Sequence, residues 1–250
     1  MKSAAAALAL AALLAGCASV PSGAPSAPQA ANPVDPWEHW NRKVFAFNDA
    51  LDDAVLKPVA QGYQKAVPKL VRKGVDNVFG NIGDAWSALN QFLQGKMQYG
   101  LEMGMRVVTN TVFGLGGLLD PASEMRLTRR SEDFGLTLGH WGVGPGPYVV
   151  LPIIGPSTLR DTTGWVVDRY AAAPSKIATQ PEGQYAIDGL QLVNTRANLL
   201  ATTNLVGQVA LDRYSFIRDG YLAHRLDQVW DGNPPLQNMD DDSADAPAAK

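Results

Sequence analysis

Few residues in this chain could carry covalent chemistry. Ser157, His140 and Asp161 would supply a nucleophile, a general base and an orienting carboxylate, the set that acyl transfer uses. Ser157 lacks the G-x-S-x-G elbow that lifts a nucleophilic serine above a strand-to-helix turn. It also stands where a helix cap is expected, the commoner task of a serine. The three histidines, His39, His140 and His224, are scattered, and none forms a helical pair at metal-ligand spacing. Gly142, Gly144 and Gly146 suggest a phosphate loop, but prolines alternate with them and the next helix is distant, so the dinucleotide fingerprint is not met. The residues therefore assign no catalytic group, metal or cofactor; an envelope hydrolase built on Ser157, His140 and Asp161 stays as a lesser alternative.

The single cysteine has a different chemistry. A basic start and an alanine- and leucine-rich run lead to Leu14-Ala15-Gly16-Cys17, too short an apolar stretch to span a bilayer. This sequence resembles the lipobox of bacterial lipoproteins, which implies cleavage after residue 16 and acylation of Cys17. A lone cysteine excludes intramolecular disulfides, and an acylated one leaves no thiol for catalysis. Stable anchoring needs more than one acyl chain. An aspartate at the position of Ala18 would resemble an inner-membrane retention signal; its absence favours the outer membrane.

Residues 17–34 are rich in Ala, Ser, Pro and Gly and read as a flexible tether. Residues 233–250 form an acidic, alanine-rich tail. About 200 residues remain between them, enough for one domain with a sizeable core, set at 35–232. The net charge of −3 and the lack of a basic face argue against nucleic-acid binding.

The elements that must position these groups read as helices. Asp35-Pro36-Trp37-Glu38 carries the signals of a capped start, and Trp37, Trp40, Val44, Phe47 and Leu51 recur on one face, read as core. A second helix is expected from Pro68 with Val71, Val75, Val78, Phe79 and Ile82, also read as core. A third is capped by Asp84 and stops at Gly95. A fourth starts near Met97 with Leu101, Met105, Val108 and Val112 on one side. A short helix is expected over 131–138, a longer one capped by Ser157, and two more over 182–230 with a weak point at Thr202-Thr203-Asn204. No strand-rich region and no spanning helix is expected, because Arg106 and Asn110 interrupt the best apolar candidate. The fold class is mostly α.

Two apolar stretches fit no regular element. Val112 to Leu119 is interrupted by Gly114, Gly116 and Gly117 and closed by Asp120-Pro121. Gly139 to Asp161 carries Tyr148 to Ile154 among Pro145, Pro147, Pro152 and Pro156. Irregular backbone at membrane depth is tolerated only when buried in protein or lining a cavity. That pattern points to a lipid-facing helical shell with a protected channel.

The stretches "DPWEHWNRKVFAFN", "FLQG", "RVVTNTVFGLGGLLD" and "DFGLTLGHWGVGPGPYVVLPIIGPSTLRD" resemble the MlaA (VacJ) family of outer-membrane lipoproteins. The resemblance is close from about Asp35 to Tyr170 and looser beyond; Trp40 replaces a phenylalanine common in the family. It implies a mostly helical, ring-like protein in the inner leaflet of the outer membrane. Such a protein would sit beside trimeric porins and pass stray outer-leaflet phospholipids through an amphipathic channel to a soluble periplasmic carrier, with no bond broken. On this reading Gly142, Gly144, Pro145, Gly146, Pro147, Tyr148 and Pro152 brace the channel. Gly114, Gly116, Gly117, Asp120 and Pro121 form a gating hairpin, and Arg126, Arg129 and Arg130 contact a headgroup or a porin. A lipoprotein that scaffolds porins without moving lipid is the alternative.

Overall fold

The computed structural model describes residues 32–235, of which 33–235 belong to the compact unit Pro33–Lys250. Cys17 with its expected lipidation, the signal peptide, nearly all of the tether and residues 236–250 of the tail lie outside the described residues.

The domain is helical, with one small hairpin. Helix α1 (Glu38–Leu51) runs through a π-helical turn (Asp52–Leu56) into α2 (Lys57–Ala66). Pro58 lacks the N–H that Ala54 O would accept and its ring crowds that carbonyl, which a widened turn relieves. Asp35 does not cap α1: the cap is Trp37, and Asp35 is buried, accepting from Asn41 Nδ2 at 2.8 Å, from the Tyr214 hydroxyl and from Arg218.

The second and third expected helices are one, α3 (Lys69–Leu93), with Asp84 buried mid-helix rather than capping. Helix α4 (Met97–Val112) packs against it, α5 (Pro121–Glu124) is capped by the Asp120 side chain, and α6 (Phe134–His140) is capped by Asp133. Strands β1 (Tyr148–Leu151) and β2 (Gly155–Thr158) pair antiparallel, Tyr148 opposite Thr158 and Leu151 opposite Gly155. Pro152 falls in the turn, where it costs no ladder bond.

Helix α7 (Leu159–Ala171) is capped by Thr158, whose hydroxyl takes the Asp161 amide; Ser157 lies in β2 instead. A 3₁₀ turn (Pro174–Ile177) leads to α8 (Pro181–Val209) and then α9 (Arg213–Val229). Helix α8 runs unbroken through Thr202-Thr203-Asn204, and Thr203 Oγ1 bonds back to Leu199 O at 3.0 Å, so its hydroxyl is satisfied within the helix. The break falls after Val209.

The distribution of side chains overturns the reading of the α1 and α3 apolar faces as core for most of their large residues, although Val44 is buried and Val75, Val78, Phe79 and Ile82 are half-buried. Trp40 is 61% exposed, and Trp37, Phe47, Val71, Leu101, Met105, Val108 and Val112 are exposed as well. The buried positions of α3 are Gly74, Asn81, Asp84, Ser87, Ala88, Asn90 and Gln91, and those of α4 include Arg106, Thr109 and Asn110. Apolar clusters are small: Val44, Tyr148, Val150 and Tyr214 in one, Ala60, Ala197 and Leu200 in another. The helices meet through polar contacts and turn their greasy faces outward, the reverse of the usual arrangement in water. Among the described residues, no helix is long and apolar enough to cross a membrane.

Candidate functional site

A cleft of about 450 Å³ opens between α3, α7 and α8. Helix α3 contributes Phe79, Gly83 and Trp86, one side of the helix at i, i+4 and i+7. Helix α7 contributes Trp165, Asp168 and Arg169 on one side, and Ala172, Ala173 and Pro174 just beyond its end continue that wall. Asp188 and Gln191 face it from α8. The surface is amphipathic, with aromatic walls beside a polar strip.

The polar groups are held in place. Trp86 Nε1 donates to Asp168 Oδ1 at 2.7 Å, and the Phe134 amide donates to the same oxygen at 3.0 Å. Burial pushes the Asp168 carboxyl above the usual range, and these two bonds partly offset it. Arg169 reaches across the cleft: Nη1 donates to Ser175 Oγ at 2.9 Å and Nη2 pairs with Asp188.

Three devices fix the α7 wall. Its first free amides are taken by the glycine–proline segment: Leu159 N bonds Pro147 O and Arg160 N bonds Pro145 O, both at 3.1 Å. Proline's fixed φ removes one rotational freedom from the backbone that presents those carbonyls. Second, α6 and α7 cross at Gly135 and Gly164, where no Cβ fits. Third, the Arg225 guanidinium of α9 ties Asp133 to Asp161 at 2.6 to 3.0 Å, and Tyr221 Oη donates to Asp161 at 2.8 Å.

The α3 wall is fixed by Arg106, which is 0% exposed. Nε donates to Asp84 at 3.2 Å, Nη2 to Asp120 at 3.1 Å, and Nη1 to Leu127 O. Arg129 completes the shell of Asp84 at 2.8 Å.

The residues expected from sequence fall around this cleft rather than in it. In the glycine–proline segment, Gly142 and Gly146 have φ of 92° and 67°, and a Cβ on Gly146 would press Leu159 Cβ at 3.2 Å, whereas Gly144 faces open space. Tyr148 is buried in an aromatic cluster, edge-on to Tyr214 and Tyr221 at 6.2 and 6.3 Å. Asn41 and Asn48 pair the strand to α1 as a neighbouring strand would: Asn41 bonds Tyr148 O and Val150 N, and Asn48 bonds Leu151 O and Ile153 N.

The Gly114 to Pro121 loop closes on itself. Leu119 N donates to Gly114 O at 2.8 Å, a Cβ on Gly114 would strike Asn110 O at 2.3 Å, and Gly116 and Gly117 have φ of 73° and 92°. Phe113 and Leu115 are each 73% exposed, while Asn77 Nδ2 holds Leu118 O to α3 at 2.9 Å. Asp120 is spent on Arg106, Asn110 and the α5 cap.

Of the arginine trio, Arg129 is paired with Asp84 and Arg130 stacks over Tyr99 at 4.3 Å; Arg126 is exposed at a left-handed φ of 61°. Ser157 Oγ lies 2.9 Å from Thr162 Oγ1, and Asp161 is engaged by Arg160, Tyr221 and Arg225. His140 is exposed and makes no hydrogen bond to either, so the expected triad is not assembled among the described residues.

Sequence reading missed the cleft. Its signal was present as Phe79, Gly83 and Trp86 and as Trp165, Asp168 and Arg169, but such spacing also describes an ordinary buried face.

Comparison with known proteins gives a consistent set of relatives. The family model described as MlaA lipoprotein matches residues 33–228. The intermembrane phospholipid transport system lipoprotein MlaA of Escherichia coli K12 is 36% identical over 218 residues, 82% of this chain and 85% of that one. Its Haemophilus influenzae namesake is 36% identical over 199 residues, 77% of this chain and 78% of that one. A solved structure described as the structural basis for maintenance of bacterial outer membrane lipid asymmetry aligns with a TM-score of 0.68 at 34% identity, over 80% of this chain and 99% of that one.

Proposed function

The chain belongs to the MlaA lipoprotein family, and on that premise we propose that it clears mislocalised phospholipids from the outer leaflet of the outer membrane. Lipid passes along an amphipathic path that includes the α3–α7–α8 cleft and is handed to a soluble periplasmic carrier. The protein rests in the periplasmic leaflet as a ring beside a trimeric porin, anchored through acylated Cys17. It breaks no covalent bond.

The observation that carries this reading is the inverted polarity. Exposed Trp40, Leu101, Met105 and Val108 would each favour an acyl-chain environment by about 25 cal/mol per Å² of apolar surface removed from water. Buried Arg106, Asp84, Asn90 and Gln91 keep the helices joined where apolar surfaces have no reason to associate.

Within this reading, Gly142 to Pro152 is the brace, acting through the Pro145 and Pro147 carbonyls on α7. The Gly114 to Pro121 loop is the gate, its exposed Phe113 and Leu115 in contact with lipid and its latch the Asn77 bond to Leu118 O. Arg126 is the member of the arginine trio left to meet a headgroup or a porin.

The test is phospholipid exposed on intact cells lacking the gene, complemented with wild type, Cys17→Ala or Gly83→Leu. A Cβ on Gly83 meets nothing within 4 Å and Gly83 lines the cleft, so the last variant directs a bulky side chain into it. Deletion is expected to raise exposed phospholipid, with only wild type reversing it. No rise on deletion overturns the proposal.

A further inference from the structure

Arg169 and Asp188 stand on opposite walls of the cleft, on α7 and α8, and close it with a single ion pair. Their side chains are 42% and 31% exposed, and pairs in that setting contribute little to stability. The pair is therefore easily opened by anything that re-pairs both charges. Resting on the reading of the cleft as part of the lipid path, we propose that it takes the headgroup of a zwitterionic phosphoglyceride in preference to an anionic one. The phosphate replaces Asp188 on Arg169, and the ammonium replaces Arg169 on Asp188.

Four features support this. The Arg169 fork makes two bonds from its two Nη atoms, to Ser175 Oγ and to Asp188, and a guanidinium offers parallel donors to phosphate oxygens. Secondly, the cleft's charged side chains are one cation and two carboxylates, Arg169 against Asp168 and Asp188. Asp168 is committed to the Trp86 indole and the Phe134 amide. An anionic headgroup that displaced Asp188 would leave that carboxylate unpaired in a cleft that already holds a second one, whereas a zwitterion restores every pairing. Thirdly, Lys176, the next cation along the chain from this wall, stacks on Tyr170 at 4.9 Å. Finally, Phe79 and Trp165 give apolar cover for the glycerol and the first methylenes, and about 450 Å³ suits a headgroup rather than two whole acyl tails.

The experiment uses the full-length lipidated protein in detergent micelles doped with equal amounts of phosphatidylethanolamine and phosphatidylglycerol. Lipid retained after gel filtration is quantified by mass spectrometry. Wild type is expected to enrich phosphatidylethanolamine about tenfold, which corresponds to ~1.4 kcal/mol. Asp188→Asn is expected to lose most of that preference, and Arg169→Gln to lower the total lipid retained. Thermal melts of both variants check that the fold persists. Bound lipid that mirrors the micelle in wild type, or enrichment that survives Asp188→Asn, overturns the inference. Gly83→Leu separates the two claims. If it lowers bound lipid while wild type shows no preference, the cleft binds lipid but does not select it. If it leaves bound lipid unchanged, or wild type retains none, the cleft reading itself falls and the selectivity with it.

Discussion

Gly135 and Gly164 touch backbone to backbone: a Cβ built on Gly164 would lie 2.3 Å from the Gly135 nitrogen and 2.5 Å from its Cα. This crossing of α6 and α7 brings the Phe134 amide onto Asp168, and Asp168 in turn holds the Trp86 indole. Gly164→Ala is expected to destabilise by about 1–3 kcal/mol, because the backbones must separate. Gly83→Ala, in the open wall of the same cleft, is expected to raise stability by about 0.5–1 kcal/mol through helix propensity. Thermal melts in detergent would compare the two; equal effects would mean that the crossing is not tight.

Arg106→Met is the second case. It strips Asp84 and Asp120 of a shared buried cation, and removing one partner of such a set costs about 3–5 kcal/mol. Arg42→Met at the exposed pair with Asp212 should cost about 0.2–1 kcal/mol. Guanidinium titrations would order them, and a reversed order would refute the polar-core account.

Asn41 distinguishes size from hydrogen bonding. Its amide donates to Asp35 and to Tyr148 O and accepts from Val150 N. Asn41→Asp keeps the shape yet turns a carboxylate oxygen toward Asp35 and a carbonyl, and should cost at least about 2 kcal/mol. Hydrogen exchange at Val150 would rise sharply if the strand is released. Unchanged protection would show that the hairpin stands without α1.

Glu132 and Asp161 respond to pH in opposite senses. Burial raises the Glu132 carboxyl above its ordinary 4.5, only partly offset by the Gln94 bond. Its contribution therefore falls as pH rises from 4.5 through the folded value. Burial also acts on Asp161, but Arg225 outweighs it and holds the folded value below 3.8; that contribution is present above 3.8 and lost as pH falls through the folded value. Glu132→Gln is expected within about 1 kcal/mol of wild type at neutral pH, since buried Gln91 Oε1 lacks a partner and can accept once that amide turns over. Glu132→Ala removes the acceptor of the Gln91 amide and leaves Gln94 only its bond to Thr137 Oγ1, and should cost about 1–3 kcal/mol. Melts of both variants across pH 3 to 7 provide the check.

The outward face of α4 should govern membrane partition rather than folding. Val108→Glu, at an exposed position between Leu101, Met105 and Val112, should leave the detergent melt unchanged. It should weaken vesicle flotation by ~1.5–3 kcal/mol, the worth of one buried apolar side chain. A lowered melting temperature would mean that Val108 faces protein after all.

Much of this was legible from the chain. Helix α4 starts at Met97 as its pattern predicts, and the glycine–proline segment avoids helix between α6 and α7, over residues 141–158. Asp35 and Asp84 were misread as caps because a capping aspartate and a buried ionic one look alike locally. What separates them is distant: Tyr214 lies 179 positions from Asp35, and Arg106 lies 22 positions and one helix away from Asp84. The hairpin was missed because its ladder is half supplied by Asn41 and Asn48, more than 100 residues upstream.

The sequence by itself determined the helical class, the existence of apolar stripes and a family resemblance that is close from about Asp35 to Tyr170, behind a stretch at Leu14 to Cys17 that resembles a lipobox. The tertiary structure decided which way those stripes face and where the cleft lies. A period of 3.6 residues shows that a helix has an apolar side, but the same side suits a protein core or a lipid leaflet. Only the partners of the opposite, polar side settle it, and here Arg106, Asp84, Asn90 and Gln91 find theirs on other helices and loops, leaving Trp40, Met105 and Val108 to the outside.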